Sequence, residues 1–261
     1  MNERVAKIVA PLTVGLVILA AWEFLVRAAE IPPYILPGPV IIAQTLWTDG
    51  PSLMGSLWVT LRITLVALAA AVVLGGLIAV LFAQSRLLEL SFFPYAVILQ
   101  VTPIVSIAPL IIIWVNDTFL SLLICAWIVA FFPVVANTTL GLNSADRNLV
   151  ALFKLYGASR WQILRFLRMP SALPYFLAGV RISGGLALIG AVVAEFVAGT
   201  GGSATGLASR ILESGYRLEI PRLFAALLLL SLTGILIFAA LSWLSHALLA
   251  HWHESALPEE E

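Results

Sequence analysis

The sequence predicts an all-α polytopic membrane protein with six transmembrane helices. Its 261 residues are 61% hydrophobic and only 11% charged, whereas soluble domains average about 25% charged residues. Several apolar runs reach the roughly 20 residues that a helix needs to cross a bilayer. The ~10-residue alternating segments typical of a transmembrane β-barrel are absent.

The apolar runs place the spans at about 7–28, 57–83, 89–114, 118–140, 172–198 and 222–249. Arg4 and Lys7 precede the first run as they would in a signal peptide, but the run is long and no small-residue cleavage site follows it. We therefore expect an uncleaved first span. A Pro-rich outer connection at 30–55, with one short helix at about 38–48, leads to the second span, and the whole chain 1–261 forms a single transmembrane domain.

The third run is the least regular because it contains Pro94, Pro103 and Pro109. Each proline removes a backbone donor and disfavours an unbroken helix. Broken backbone at membrane depth is tolerated only against protein or a water-filled cavity. We therefore predict that residues around this break line a translocation pathway: Gln100, Thr102, Pro103 and Ser106.

Glu195 is the most conspicuous ionisable residue within a span. A carboxylate at the bilayer centre costs about 2.5 kcal/mol or more and marks a functional site by default. Its position near the outer end of the fifth span softens that cost. Two roles stay open, one in the pathway or its gate and one as a structural group at the interface.

Small residues recur at every fourth position in two spans. The second span carries Ala67, Ala71, Gly75, Ala79 and Ala83. The fifth carries Gly179, Ser183, Ala187 and Ala191, with Gly190, Ala194 and Ala198 beside them. Helices in lipid approach closely at such positions. The stripes predict either packing within the chain or a sliding or dimer interface near a pore.

The distribution of basic residues orients the chain. With both termini inside, eight of the fourteen basic residues lie on the inner side: Arg4, Lys7, Arg86, Arg147, Lys154, Arg160, Arg165 and Arg168. An excess of Lys and Arg in loops marks the cytoplasmic side. The topology therefore places residues 142–170 in the cytoplasm.

This cytoplasmic segment has the pattern of two short helices. Asn143 or Ser144 can cap the first helix, and Asp146 suits its first turn. Its apolar face comprises Leu149, Leu152, Phe153 and Tyr156, spaced i, i+3, i+4 and i+7.

A bend joins this helix to the second. Gly157 fits a left-handed helix stop, Ser159 can cap a second helix to about Leu167, and Pro170 ends it. By spacing alone, the two helices could dock a partner or lie on the membrane surface with arginines at anionic headgroups.

The run GASRWQILRFLRMPSALPYFLAGVRI, beginning at Gly157, resembles the loop signature of ABC-importer permease subunits. In that family an E-A-A triplet is followed by three residues and a glycine, then by nine residues and I-x-L-P. Gly157 holds the glycine place, and Leu167, Met169 and Pro170 hold the last motif. VTPIVSIAPLIIIWV and GGLALIGAVVAEFVAG also resemble the branch that imports nitrate, sulfonates, taurine and pyrimidine-type vitamin precursors. The likeness covers about 57–245.

One departure concerns the triplet, because Ala151, Leu152 and Phe153 stand where E-A-A would. The acidic residue of the triplet is therefore absent, and docking of Leu152, Phe153 and Tyr156 into an apolar groove could replace the contact that it would make with an ATPase. The resemblance implies these residues for ATPase coupling: Leu152, Phe153, Tyr156, Gly157, Ala158, Ser159, Arg160 and Pro170.

The resemblance implies the type I ABC importer permease fold and an ATP-driven import function. It implies as partners two ATP-binding subunits, a second permease copy and an extracytoplasmic substrate-binding protein, in a bacterial inner membrane with both termini cytoplasmic. ATP and Mg²⁺ would be bound by the partner, so this chain would need no cofactor and would not be an enzyme. The substrate would be a small organic anion or a pyrimidine- or riboflavin-type vitamin precursor.

Features of other function classes are missing. There is no G-x-x-x-x-G-K-[ST] loop to cradle nucleotide phosphates, and the glycine-rich run at 199–206, which lacks lysine, is predicted to be a flexible outer loop. No basic tract suggests nucleic acid as a partner. His246, His251 and His253 near Glu254 are interpreted as solvated side chains rather than a metal site.

A self-powered secondary transporter or channel is the alternative function. That class predicts inverted repeats and buried ionisable coupling residues. The sequence has no clear repeat, and Glu195 is the single candidate for a coupling residue.

Overall fold

The computed structural model describes residues 3–199 and 205–250, with side chains from residue 9 onward. Within these residues the chain is helical, and the elements are α1 Glu3–Ala28, α2 Pro39–Thr48, α3 Gly50–Gln84, α4 Arg86–Val101, α5 Ile104–Trp114, α6 Thr118–Asn143, α7 Arg147–Leu155, α8 Arg160–Ile163, a π-helical turn Leu164–Arg168, α9 Met169–Ala198, α10 Leu207–Tyr216 and α11 Ile220–Leu249. The predicted all-helical class is confirmed, as is the short helix before the second span.

Five helical stretches in the described residues are long and apolar enough to cross a membrane, and they belong to α1, α3, α6, the run Arg160–Ala198, and α11. The pair α4 and α5 makes a sixth if it is counted as one broken span, since its two helices meet at 98°. The described residues therefore contain five spans, or six with the bent pair counted, in the predicted order, and the bent pair stands at the predicted third span.

The break in the third span lies at Thr102 and Pro103. Thr102 has extended backbone angles (φ −71°, ψ 123°), because the residue before a proline is pushed out of the α region. Pro94 and Pro109 lie inside α4 and α5 without ending them. Of the three prolines expected to disrupt the segment, Pro103 is the one at the break.

The second helix of the segment 142–170 does not end at Pro170. Residues Arg160–Ala198 form one helical run, in which α8 passes through the π-helical turn into α9. The prediction that Pro170 terminates this helix is therefore wrong. The Met169 N–H donates to the Leu164 carbonyl, five residues back, and this wider turn precedes a residue that has no N–H to donate.

Helices α6 and α9 pack with their backbones close together, because glycines in α9 lie directly against α6. A Cβ added at Gly179 would lie 2.8 Å from the Pro133 carbonyl oxygen, and one at Gly190 would lie 2.9 Å from Ala126 Cα. In α3, a Cβ at Gly75 would lie 3.1 Å from Val134. The small-residue stripes therefore pack within the chain, which is the first of the two alternatives.

The described residues divide into two compact units. One comprises the described parts of Met1–Val59 and Gly199–Ser231, and the other those of Thr60–Ala198 and Leu232–Glu261. The first unit carries ion pairs, in which Arg222 lies 3.2 Å from Glu219 and Arg210 lies 2.7 Å from Glu213. The hydrogen bond from Arg210 holds the pKa of Glu213 below its ordinary value.

Candidate functional site

Helix α7 begins at a side-chain cap. The Asp146 Oδ1 accepts a hydrogen bond from the Asn148 N–H at 2.6 Å, so Asp146 is the N-cap rather than a first-turn residue. Ser144 instead closes α6, where its N–H donates to the Gly141 carbonyl. The predicted cap at Asn143 or Ser144 is wrong because these residues serve the end of the preceding span.

The predicted apolar face of α7 is largely exposed. Leu149 and Leu152 are each 45% exposed and Tyr156 is 82% exposed, while Phe153 is half-buried. Nothing in α7 is buried. The spacing i, i+3, i+4, i+7 misses Leu155, whose side chain is 84% exposed. An apolar face left open in this way is a surface for a partner or for lipid.

The bend after α7 is a Schellman motif. The Ala158 N–H donates to the Phe153 carbonyl at 2.9 Å and the Gly157 N–H donates to the Lys154 carbonyl at 3.0 Å. Gly157 has φ +74°, which is the left-handed region that glycine adopts without steric cost. The predicted left-handed stop at Gly157 is confirmed.

Helix α8 begins with a capping box. The Ser159 Oγ accepts from the Gln162 N–H at 3.2 Å, and the Gln162 Oε1 accepts from the Ser159 N–H at 2.7 Å. These reciprocal bonds satisfy two donors that a helix start otherwise leaves unpaired. The predicted cap at Ser159 is confirmed, and the exposed Arg160 opens the helix.

The half of the segment after the bend is anchored in the protein. Leu164 is 1% exposed and lies in a buried cluster with Ala79, Leu142 and Ala172. The Arg168 Nη1 donates to the Ala83 carbonyl oxygen at 2.8 Å, which connects the π-helical turn to the end of α3. The segment therefore has an exposed half, α7, and an anchored half that continues into α9.

The four predicted pathway residues around Pro103 lie together at the junction of α4 and α5. Gln100 and Ser106 are exposed, and Thr102 is half-buried with its Oγ1 donating to the Ile98 carbonyl at 2.7 Å. Pro103 is the cap residue of α5. Their role in transport stays a prediction.

Glu195 is placed in the interior. It is 1% exposed, and its Oε1 accepts a hydrogen bond from the Thr60 Oγ1 at 2.8 Å. This contact joins α9 to α3 across 135 residues of sequence. Glu195 thus connects two helices, and a role in the pathway stays a prediction.

Two predicted features fall largely outside the described residues. His246 lies on α11, whereas His251, His253 and Glu254 are beyond residue 250. Most of the glycine-rich run at 199–206 is likewise not described.

The sequence and the fold match known transport proteins. The family model described as "Binding-protein-dependent transport system inner membrane component" matches residues 71–250. A riboflavin transport system permease protein of Chloroflexus aurantiacus, RibX, is 35% identical over 94% of this chain and 90% of its own length. A formylaminopyrimidine transport permease protein of Halalkalibacterium halodurans, ThiX, is 34% identical over 95% of this chain and 97% of its own length.

A crystal structure of an amino acid ABC transporter with histidines shares the fold. It superposes with a TM-score of 0.62 at 18% identity and covers 78% of this chain and 97% of its own length. At that identity the likeness concerns the fold alone. From the family match and the relatives together, this chain belongs to the family of inner membrane components of binding-protein-dependent transport systems, as a permease subunit of an ABC importer.

Proposed function

We propose that the chain is the permease of an ATP-driven importer and that it receives mechanical work through α7 and the bend at Gly157. The observation that carries this proposal is the contrast within one segment. Its first half has no buried residue and an open apolar face, whereas its second half is anchored by Leu164 and runs into α9.

The mechanism follows from this continuity. ATP binding closes the ATPase dimer and displaces α7, and the Schellman bend transmits the displacement to α8. Because α8, the π-helical turn and α9 are one helical run, the motion enters the fifth span directly. α9 lies against α6 with backbone-level contacts, so the two helices tilt together and the pathway opens to the outside.

Of the two alternatives for the exposed apolar face of α7, a docked partner or the membrane surface, we propose a docked ATPase. Leu152, Phe153 and Tyr156 would enter an apolar groove on the ATPase and replace the polar contact of the absent glutamate. Ala158, Ser159 and Arg160 would hold the bend at the same surface. Family membership supports this choice, since binding-protein-dependent importers work with ATPase subunits.

The complete transporter would contain two copies of this permease, two ATP-binding subunits and an extracytoplasmic binding protein. ATP and Mg²⁺ would be bound by the ATPase subunits. The permease would lie in a bacterial inner membrane with both termini in the cytoplasm, as the excess of Lys and Arg in its inner loops indicates.

A heteroaromatic vitamin precursor is the proposed substrate class. The two relatives at 34% and 35% identity are named for formylaminopyrimidine and for riboflavin. Both compounds contain a pyrimidine-type ring, and small organic anions form the second class. Gln100, Thr102 and Ser106, at the break after α4, supply amide and hydroxyl groups suited to such rings.

Docking is tested by adding charge to the apolar face. The double variant Phe153→Asp/Tyr156→Asp should reduce co-purification of the ATPase with the permease by tenfold or more, since two carboxylates would be desolvated in an apolar groove. Asn148→Asp is the matched control, because it adds a carboxylate to an exposed position near the start of α7, where a negative charge is favourable. Equal co-purification of both variants would overturn the docking role.

Energy source and substrate are tested by uptake. Vesicles containing the complete transporter and its binding protein should accumulate labelled riboflavin or formylaminopyrimidine when ATP is supplied to the ATPase side. Accumulation that persists without the ATPase subunits would support a secondary transporter or channel instead. A binding protein that retains neither compound would overturn the substrate class and leave the energy source untouched.

A further inference from the structure

A basic cavity lies between the coupling segment and the junction of α3 with α4. It has a volume of about 450 Å³, and four of its ten lining residues are basic while none is acidic: Arg86, Lys154, Arg160 and Arg168. A neighbouring cavity of about 340 Å³ shares Lys154 and Arg168 and adds Arg147. Positive charge is thus concentrated in these two adjoining cavities beside α7.

Part of this charge is without a partner in the described residues. The Arg168 Nε is buried and has no hydrogen-bond partner there, although its Nη1 is bound to the Ala83 carbonyl. Arg86 pairs with Glu89 at 2.9 Å but stays 71% exposed. Cations held this close repel one another, and an anion seated in the cavity would offset that repulsion.

The other walls of the cavity are apolar or neutral. Val150, Ile163 and Leu164 line it beside the cations, together with Gln84 and Ser85. Gln84 ends the membrane-spanning α3 and Arg86 begins α4, so the cavity lies where a span ends and the headgroup layer begins. A site that combines cations with an apolar wall at the membrane surface suits an amphiphilic anion better than a fully hydrated anion.

We propose that this cavity binds a phosphate ester, with Lys154, Arg160 and Arg168 around the phosphate oxygens. Arginine forks match phosphate oxygens in geometry and charge. The volume lies within the range of small-molecule sites. Two sources supply the same chemistry, the headgroup of an anionic phospholipid and a free phosphate compound. An occupied site joins α7 to α3 and to the π-helical turn, so it stiffens the coupling segment.

The test uses the purified full-length permease in detergent and three probes: short-chain phosphatidylglycerol, short-chain phosphatidylcholine and inorganic phosphate. Hydrogen–deuterium exchange of residues 147–168 reports binding. Phosphatidylglycerol should slow exchange in a saturable manner, and Lys154→Gln should weaken its apparent affinity about fivefold. Arg165→Gln is the charge-matched control, since Arg165 is exposed in the same segment and does not line the cavity.

The outcomes separate the two sources of the phosphate group and test the site itself. Protection by phosphatidylglycerol alone assigns a lipid, and equal protection by inorganic phosphate assigns a free phosphate compound. Equal weakening by Lys154→Gln and Arg165→Gln, or protection by phosphatidylcholine as well, would overturn the site.

Discussion

At the level of single residues, the hydrogen bond between Thr60 and Glu195 should contribute measurably to stability. Thr60→Val removes a hydroxyl that donates to a buried carboxyl oxygen, and we expect a loss of about 1–3 kcal/mol of stability. Thr64→Val is the matched control. It is equally buried in α3, but its hydroxyl donates to the Thr60 carbonyl of its own helix. Thermal unfolding in detergent measures both, and equal midpoints for the two variants would contradict the link between α3 and α9.

Gly157 makes a second prediction at the same scale. No atom lies within 4 Å of an added Cβ, so the effect of substitution comes from the backbone at φ +74°. Gly157→Ala should cost roughly 1–2 kcal/mol and speed hydrogen exchange across 147–163. Gly157→Asn should do so less, because asparagine tolerates the left-handed region. Faster exchange in the asparagine variant than in the alanine variant would rule out this account of the bend.

Several residue-level features could be predicted from the sequence because their chemistry is local. Gly157 and Ser159 act through neighbours within five residues, so spacing alone indicated the bend and the cap. The N-cap of α7 could not be assigned in this way, since Asn143, Ser144 and Asp146 compete. Asp146 is the N-cap because α6 extends to Asn143 and uses Ser144 as its C-cap.

At the element scale, the packing of α9 on α6 depends on particular glycines. Gly190→Ala places a methyl group 2.9 Å from the Ala126 Cα, and overpacking of this kind costs about 1–3 kcal/mol. Gly185→Ala is the control in the same helix, because nothing lies within 4 Å of its added Cβ. It should be neutral or raise stability by up to about 1 kcal/mol. Thermal unfolding in detergent measures both variants. Equal unfolding midpoints for Gly190→Ala and Gly185→Ala would refute this packing.

The continuous run from α8 into α9 could not be read from the sequence. Proline after a short helix normally predicts its end, and this rule places the end of the helix at Pro170. The π-helical turn at Leu164–Arg168 changes the register before the proline, and such turns leave no pattern in hydrophobic spacing. What holds the run in place is the burial of Leu164 and the Arg168 bond to Ala83, and both are contacts distant in sequence.

At the scale of the whole molecule, the order of the spans could be predicted because bilayer thickness dictates the length of each apolar run. The position of the bend between α4 and α5 could be anticipated from Pro103. Its angle of 98° could not. The contact of Glu195 with Thr60 could not be anticipated, because Thr60 lies 135 residues away and nothing local in either helix indicates the pair.

An ATPase can act on α7 only if this helix faces the cytoplasm, and labelling of Tyr156→Cys reports which side of the membrane it faces. Cys125, which is buried, is replaced by serine in the same variant. Tyr216→Cys is the control, since Tyr216 is equally exposed at 82% and lies between the fifth and sixth spans, which is the outer side when both termini are inside. A membrane-impermeant thiol reagent should label Tyr216→Cys in intact cells and Tyr156→Cys only in inverted vesicles, whereas labelling of Tyr156→Cys in intact cells would contradict the account.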